Sequence, residues 1–178
     1  MPNSHHASPP LLGFAAYSGV GKTTLLKAII PQLRQQQLRL GVIKLSHHNF
    51  EIDLPGKDSY ELRHAGATQI LLTSPYRQAL ITEQPTPCEP QLAAMVAQLD
   101  QRQLDLILVE GFRHEPFSKI ELYRPSLGKP LLYPNDPHII AIASDAPLAE
   151  DSSLPELDLN NSQSIAAFIL QWWRARKS

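Results

Sequence analysis

Cysteine is almost missing from this 178-residue chain, in which Cys88 stands alone. A single thiol excludes an internal disulfide framework and a cysteine-rich zinc site, and it fits a reducing compartment. Its setting, Pro85-Thr86-Pro87-Cys88-Glu89-Pro90, is a loop composition with no flanking base, so Cys88 reads as an ordinary surface thiol. Long hydrophobic runs are missing as well. The apolar segment from Leu11 to Val20 has no basic residue ahead of it and meets Lys22 almost at once, which suits a strand better than a signal-peptide core. Nothing approaches the roughly 18 apolar residues of a membrane span. Charge of one sign is lacking too: 16 Lys and Arg against 17 Asp and Glu give a net charge of -1. No whole-protein field draws the chain to nucleic acid or anionic lipid. The expectation is a soluble, cytoplasmic protein.

The remainder has a globular balance, 43% hydrophobic and 19% charged. At this length roughly 70% of the unfolded surface is buried, enough for one substantial core. Residues 1–10 carry no periodicity and read as a loose, disordered tail, with 11–178 as a single domain. Apolar runs predict strands at Leu11–Tyr17, Leu40–Ser46, Thr68–Ser74, Gln78–Glu83, Leu104–Val109, Lys119–Tyr123 and His138–Ala143. Helical spacing predicts helices over Thr23–Gln37, with a bend at Pro31, and over Lys57–His64, Glu89–Gln101 and Ser164–Arg176. Trp172 and Trp173 end the last of these and read as packing residues. Strands alternating with helices define an α/β fold: a three-layer α/β/α arrangement with a mostly parallel central sheet that could carry an antiparallel extension.

Glycine is scarce, with 8 residues against 16 prolines, so its clustering is informative. Gly13, Gly19 and Gly21 fall within nine residues, and the last two lie inside Ala16-Tyr17-Ser18-Gly19-Val20-Gly21-Lys22-Thr23-Thr24, between the first strand and the first helix, the position of the loop in a three-layer α/β/α P-loop NTPase. This is a phosphate-binding loop: glycines let the backbone curl around phosphates, and the helix start adds free N–H groups and the positive end of its dipole. Ser18, Gly19, Val20, Gly21, Lys22, Thr23 and Thr24 are the candidate nucleotide-binding residues. Lys22 would bridge the β and γ phosphates, and the Thr23 hydroxyl would ligate Mg²⁺. Ala16 stands where the usual motif has its first glycine.

Such a loop needs an acidic partner at the tip of a neighbouring buried strand. Leu104-Asp105-Leu106-Ile107-Leu108-Val109-Glu110-Gly111 offers Glu110 at the carboxyl end, where open α/β sheets bind ligands, with Asp105 at the opposite edge. Glu110 is therefore the candidate second metal residue, directly or through a metal-bound water. Between the two motifs, Lys44 to Asp58 leaves the second strand on the same edge. Asp53 is a candidate to position water or Mg²⁺, and His47 or His48 to contact phosphate or an acidic ligand. Adjacent histidines without a third soft ligand do not suggest zinc. Lys57, Arg63, Arg77, Arg113 and Lys119 add positive charge, and His47, His48, Lys57, Arg63 and Arg77 together could hold a second anionic ligand.

These segments resemble a known family, the molybdopterin-guanine dinucleotide biosynthesis adapter proteins known as MobB. The matching pieces are Phe14 to Leu26, then Pro55-Gly56-Lys57-Asp58-Ser59-Tyr60-Glu61-Leu62-Arg63 with Ala65-Gly66-Ala67, then Leu106 to Phe112, and more weakly Ile140 to Asp145. The resemblance implies a GTP-binding homodimer with weak GTPase activity. It would assist a partner enzyme that attaches GMP to molybdopterin, and so take part in molybdenum cofactor biosynthesis. The cofactors implied are GTP and Mg²⁺. No Asn-Lys-x-Asp guanine reader is present, and the resemblance suggests Asp145 as the acceptor for guanine N1 and N2.

Three readings remain open from the residues. In an accessory GTPase, Lys22 stabilises phosphate charge, Thr23 and Glu110 hold Mg²⁺ and Asp53 orients water; turnover is slow because no arginine finger is evident. A P-loop small-molecule kinase would use the same loop, but Arg77, Arg113 and Arg124 are too scattered for an arginine-rich lid. A nucleotide-gated adapter would use GTP to change partner affinity without needing hydrolysis.

Overall fold

The computed structural model describes residues 8–46, 48–148 and 152–177; residues 1–7 of the expected tail, and His47, lie outside that set. Contacts group the chain into two compact units, Met1–Leu45 with Gln91–Ser178, and Ser46–Pro90. The stretch read as one domain from 11 onward thus carries the segment Ser46–Pro90 as an insertion.

In chain order the first unit contains strand β1 (Leu11–Ala15), helix α1 (Lys22–Gln35) and strand β2 (Leu40–Lys44) before the insertion. Within the insertion are α2 (Asp58–His64), β3 (Gln69–Thr73) and β4 (Gln78–Thr82). The first unit resumes with α3 (Leu92–Ala97), β5 (Leu106–Glu110), β6 (Lys119–Tyr123), β7 (Ile139–Ser144), β8 (Glu156–Asp158) and α4 (Ser162–Arg174). Six strands form one sheet in the order β2-β5-β1-β6-β7-β8. Every neighbouring pair in it is parallel. The antiparallel extension exists as a separate two-stranded sheet, β3 with β4.

A parallel strand covered on both faces should be apolar throughout, and β5 is: Leu106 to Val109 are wholly buried. Its side chains alternate between two clusters. Leu106 and Leu108 join Leu12, Phe14, Ile120 and Leu122 against Leu26, Ile29 and Leu33 of α1 and Ile165 and Ile169 of α4. Ile107 and Val109 join Ile43, Leu92 and Phe112 on the other face. Helix α1 continues through Pro31. Trp172 and Trp173 pack on the first cluster, and Trp173 Nε1 donates to the Asp105 carbonyl at 2.8 Å. At the sheet's opposite edge the Asp105 carboxylate accepts from the Arg39 backbone N–H at 2.9 Å and from its guanidinium at 3.0 and 3.2 Å.

Strand β6 breaks the apolar rule. Lys119 and Glu121 are 1% exposed and share one face. Lys119 begins the strand as expected, but it is no cation for the ligand edge: it is buried at the amino end, where it pairs with Asp136 at 3.0 Å and donates to the Glu115 carbonyl. Burial pushes the Glu121 carboxyl above its ordinary value, although its two oxygens accept from the N–H groups of Leu132 and Tyr133 at 2.7 and 2.8 Å. These ionic groups tie the segment after β6 back onto the sheet.

In the second unit, β3 and β4 pair Leu71 with Leu80 across the hairpin, at 62% and 54% exposure. Among the described residues, no helix is long and apolar enough to cross a membrane.

Candidate nucleotide site

The carboxyl ends of all six parallel strands lie on one edge, and the site grows from it. The chain leaves β1 at Ala15 and turns through Gly19 and Gly21, whose φ values of 84° and 108° lie in the left-handed region that glycine adopts at little cost. Helix α1 begins immediately, with Gly21 as its N-cap and no side chain bonded to its first N–H groups. Those donors are available to a ligand. Lys22 folds back over the loop and donates to the carbonyls of Ala16 and Tyr17 at 3.3 and 3.2 Å. Burial lowers its pKa, Glu110 opposes that shift, and Lys44 and Arg113 reinforce it. Ser18, Thr23 and Thr24 are exposed, whereas Val20 is buried as an anchor.

Strand register places Glu110 opposite Phe14 of β1 on one side and Lys44 of β2 on the other. Lys44 Nζ lies 3.3 Å from Glu110 Oε2. The chain then turns sharply, with φ of 106° at Gly111 and 52° at Phe112, both left-handed. Packing of the nearly buried Phe112 in the second cluster holds this conformation. Its effect is to end the strand at the carboxylate.

Further along the edge, Arg124 follows β6. Its Nε donates to the Val20 carbonyl at 2.8 Å, and Nη1 pairs with Asp145, which follows β7. Beside them a pocket of about 230 Å³ is lined by Gly21, Thr24, Ala28, Arg124 and Asn160, among others. Neither Arg124 as a loop contact nor Lys44 as a partner of Glu110 was read from sequence. The available signal was position, because each sits at the carboxyl end of a short apolar strand.

The other candidate residues lie in the second unit. Asp53, expected to orient water, accepts from Arg63 at 2.8 Å through Oδ1, while its buried Oδ2 has no hydrogen-bond partner among the described residues. Burial acts to raise the Asp53 pKa, but the hydrogen bond and charge of Arg63 work against it, and the carboxyl is held below its usual value. Arg63, expected among the cations for an anionic ligand, is already committed to Asp53, Glu51 and Glu83, which raise its pKa further. His48, Lys57 and Arg77 are exposed.

A hydroxyl and one carboxylate beside a phosphate loop suit Mg²⁺, which takes one or two protein oxygens, phosphate oxygens and several waters. Thr23 and Glu110 fit that donor set. Among the described residues, no group of three or more His, Cys, Asp or Glu forms a cage of its own.

A glycine-rich loop joining the central strand to a helix, in an all-parallel sheet covered on both faces, defines a P-loop NTPase-like α/β protein. Comparison with known proteins narrows the class. The family model for MobB, molybdopterin guanine dinucleotide synthesis protein B, matches residues 11–145. The molybdopterin-guanine dinucleotide biosynthesis adapter protein of Escherichia coli K12 is 50% identical over 164 residues, covering 92% of this chain and 93% of that protein. Its counterpart in Haemophilus influenzae is 45% identical over 92% of this chain and 89% of that protein. Among solved structures, a Bacillus subtilis MobB superposes with a TM-score of 0.70 at 24% identity, covering 91% and 96% of the two chains. A MobB homologue from Bacillus stearothermophilus gives 0.67 at 22%, covering 93% and 98%. The chain belongs to the MobB family, and its role lies in molybdopterin guanine dinucleotide biosynthesis.

Proposed function

We propose that the chain is a GTP-binding adapter with weak GTPase activity, assisting the enzyme that attaches GMP to molybdopterin. The observation that carries this reading is the geometry of the loop: Lys22 folds back onto two backbone carbonyls, and no side chain among the described residues caps the first N–H groups of α1. Phosphate oxygens are better partners for both, because they bring full negative charge to partly desolvated donors. Lys22 leaves Ala16 and Tyr17 for the β and γ phosphates. Thr23 and Glu110 hold Mg²⁺, which neutralises charge on the transferring phosphoryl group when bound. Glu110 must then share its carboxylate with Lys44 or release it. Asp145 accepts from guanine N1 and N2, and Asp53 orients water only after its carboxylate leaves Arg63. Turnover is slow, since Lys44 and Arg124, two cations of this edge, are held by the carboxylates of Glu110 and Asp145.

His48, Lys57 and Arg77, exposed on the second unit, are the contacts in this reading for anionic pterin or for the partner enzyme. Self-association as a homodimer is supported by the β3–β4 hairpin. Two strands alone are marginal in water, and this pair exposes Leu71, Leu80 and unpaired strand edges. The test is GTP binding and hydrolysis by wild type and Lys22→Ala with Mg²⁺ present. Lys22→Ala should lower the hydrolysis rate at least about 100-fold, the scale of losing one preorganised charge donor. Equal rates at equal affinity would refute the assignment.

A further inference from the structure

The carboxylate that reads guanine in the proposal above is already occupied. Arg124 Nη1 is hydrogen-bonded to Asp145 Oδ2, and Arg124 Nε to the Val20 carbonyl of the phosphate loop. A guanidinium is a planar fork of N–H donors, and here one of them faces the carboxylate while Nε is turned to the loop. The N1–H and N2–H edge of guanine offers Asp145 two parallel donors against that one. Adenine offers one donor beside a lone pair, which faces a carboxylate unfavourably. We infer that Arg124 is a specificity-determining residue: its single N–H on Asp145 competes with the base, and a base must supply a better donor set, as the guanine edge does, to displace it.

Two observations carry this. Tyr123 pairs with Ser144 in register, so Arg124 and Asp145 emerge side by side at the ligand edge. The pair is also partly solvated, with side chains 32% and 20% exposed, so opening it costs far less than breaking a buried ion pair. A base that brings a lone pair to Asp145 in place of a donor leaves the carboxylate without a partner, and discrimination follows from that difference.

The inference rests on the GTP reading of the same site, so the experiment separates the two. Binding of Mg·GTP, Mg·ATP and Mg·tripolyphosphate to the full chain is titrated for wild type, Arg124→Ala, Asp145→Asn and the double variant. The quantity read is the affinity for GTP divided by that for tripolyphosphate, which cancels any loosening of the loop when the Val20 contact is lost. Arg124→Ala should raise this ratio about two- to fivefold, the scale of a partly exposed ion pair. Asp145→Asn should lower it about tenfold or more and leave ATP unchanged. In the double variant the gain from removing Arg124 should vanish. A ratio unmoved by Arg124→Ala, or a gain that survives in the double variant, overturns the inference while leaving the phosphate loop intact. Failure of wild type to bind both GTP and tripolyphosphate overturns the nucleotide reading itself and the inference with it.

Discussion

Gly111 is the position where a single methyl group should do most damage to the ligand edge. A Cβ there would stand 2.5 Å from Leu45 Cβ and 3.5 Å from Leu45 Cα. The backbone has little room to retreat, because Leu45 N donates to the Glu110 carbonyl at 2.8 Å. Two costs add in Gly111→Ala. Holding a non-glycine residue at φ near 106° costs about 1–3 kcal/mol, and overpacking against Leu45 costs about 1–3 kcal/mol more. The expected loss is therefore about 2–6 kcal/mol. Urea unfolding followed by tryptophan fluorescence measures it cleanly, because both tryptophans, Trp172 and Trp173, lie in α4 and report the first unit alone. Removing the struck atom isolates the packing part. In a Leu45→Gly background the same substitution should cost about 1–3 kcal/mol less, leaving only backbone strain. A loss below about 1 kcal/mol, or equal losses in both backgrounds, would refute the account.

Asp105 should make stability depend on acid. Hydrogen bonds from Arg39 hold its pKa down at about 2, below the ordinary aspartate range. The contribution is fully present above the unfolded value and is lost as pH falls through about 2. Because Arg39 is half exposed, we expect about 1 kcal/mol, and Asp105→Asn should flatten that part of the stability profile; an unchanged slope between pH 4 and 2, taken as about the titration window, counts against it. For the hairpin, Leu71→Lys with Leu80→Glu keeps a favourable cross-strand pair while removing the exposed apolar contact. Light scattering should show the mass fall from dimer to monomer; a persistent dimer places the interface elsewhere.

Strands β1, β5 and β7 were legible because each is a short apolar run bounded by polar turns, a pattern that burial on both faces imposes; β2 and β6 were legible from shorter apolar stretches, Leu40 to Ile43 and the alternating Ile120 and Leu122. Strand β8 was not. Glu156-Leu157-Asp158 has one inward residue and follows Pro155, too little for periodicity to register. The helix expected over Glu89–Gln101 shrinks to Leu92–Ala97, since Pro90 cannot sustain it and only its central face meets the sheet. At the site, contiguous motifs were legible and pairings were not. Lys22, Thr23 and Glu110 are marked by neighbours in the chain, whereas Lys44 and Arg124 acquire partners only through strand order. Arg63 shows the reverse: its charge suggested an anion site, and folding surrounds it with carboxylates.

The position of β1 at the centre of the sheet has a cost during synthesis. Its partners β5 and β6 lie roughly 95 and 105 residues downstream, so the apolar stretch Leu11–Ala15 leaves the ribosome early and waits. At about 5–20 residues per second the delay is on the order of 5–20 s. Throughout it, the strand that will deliver the phosphate loop has no edge to pair with. A nascent chain of this kind depends on holdase protection more than its modest size suggests, and a stall before β5 should leave it prone to aggregate.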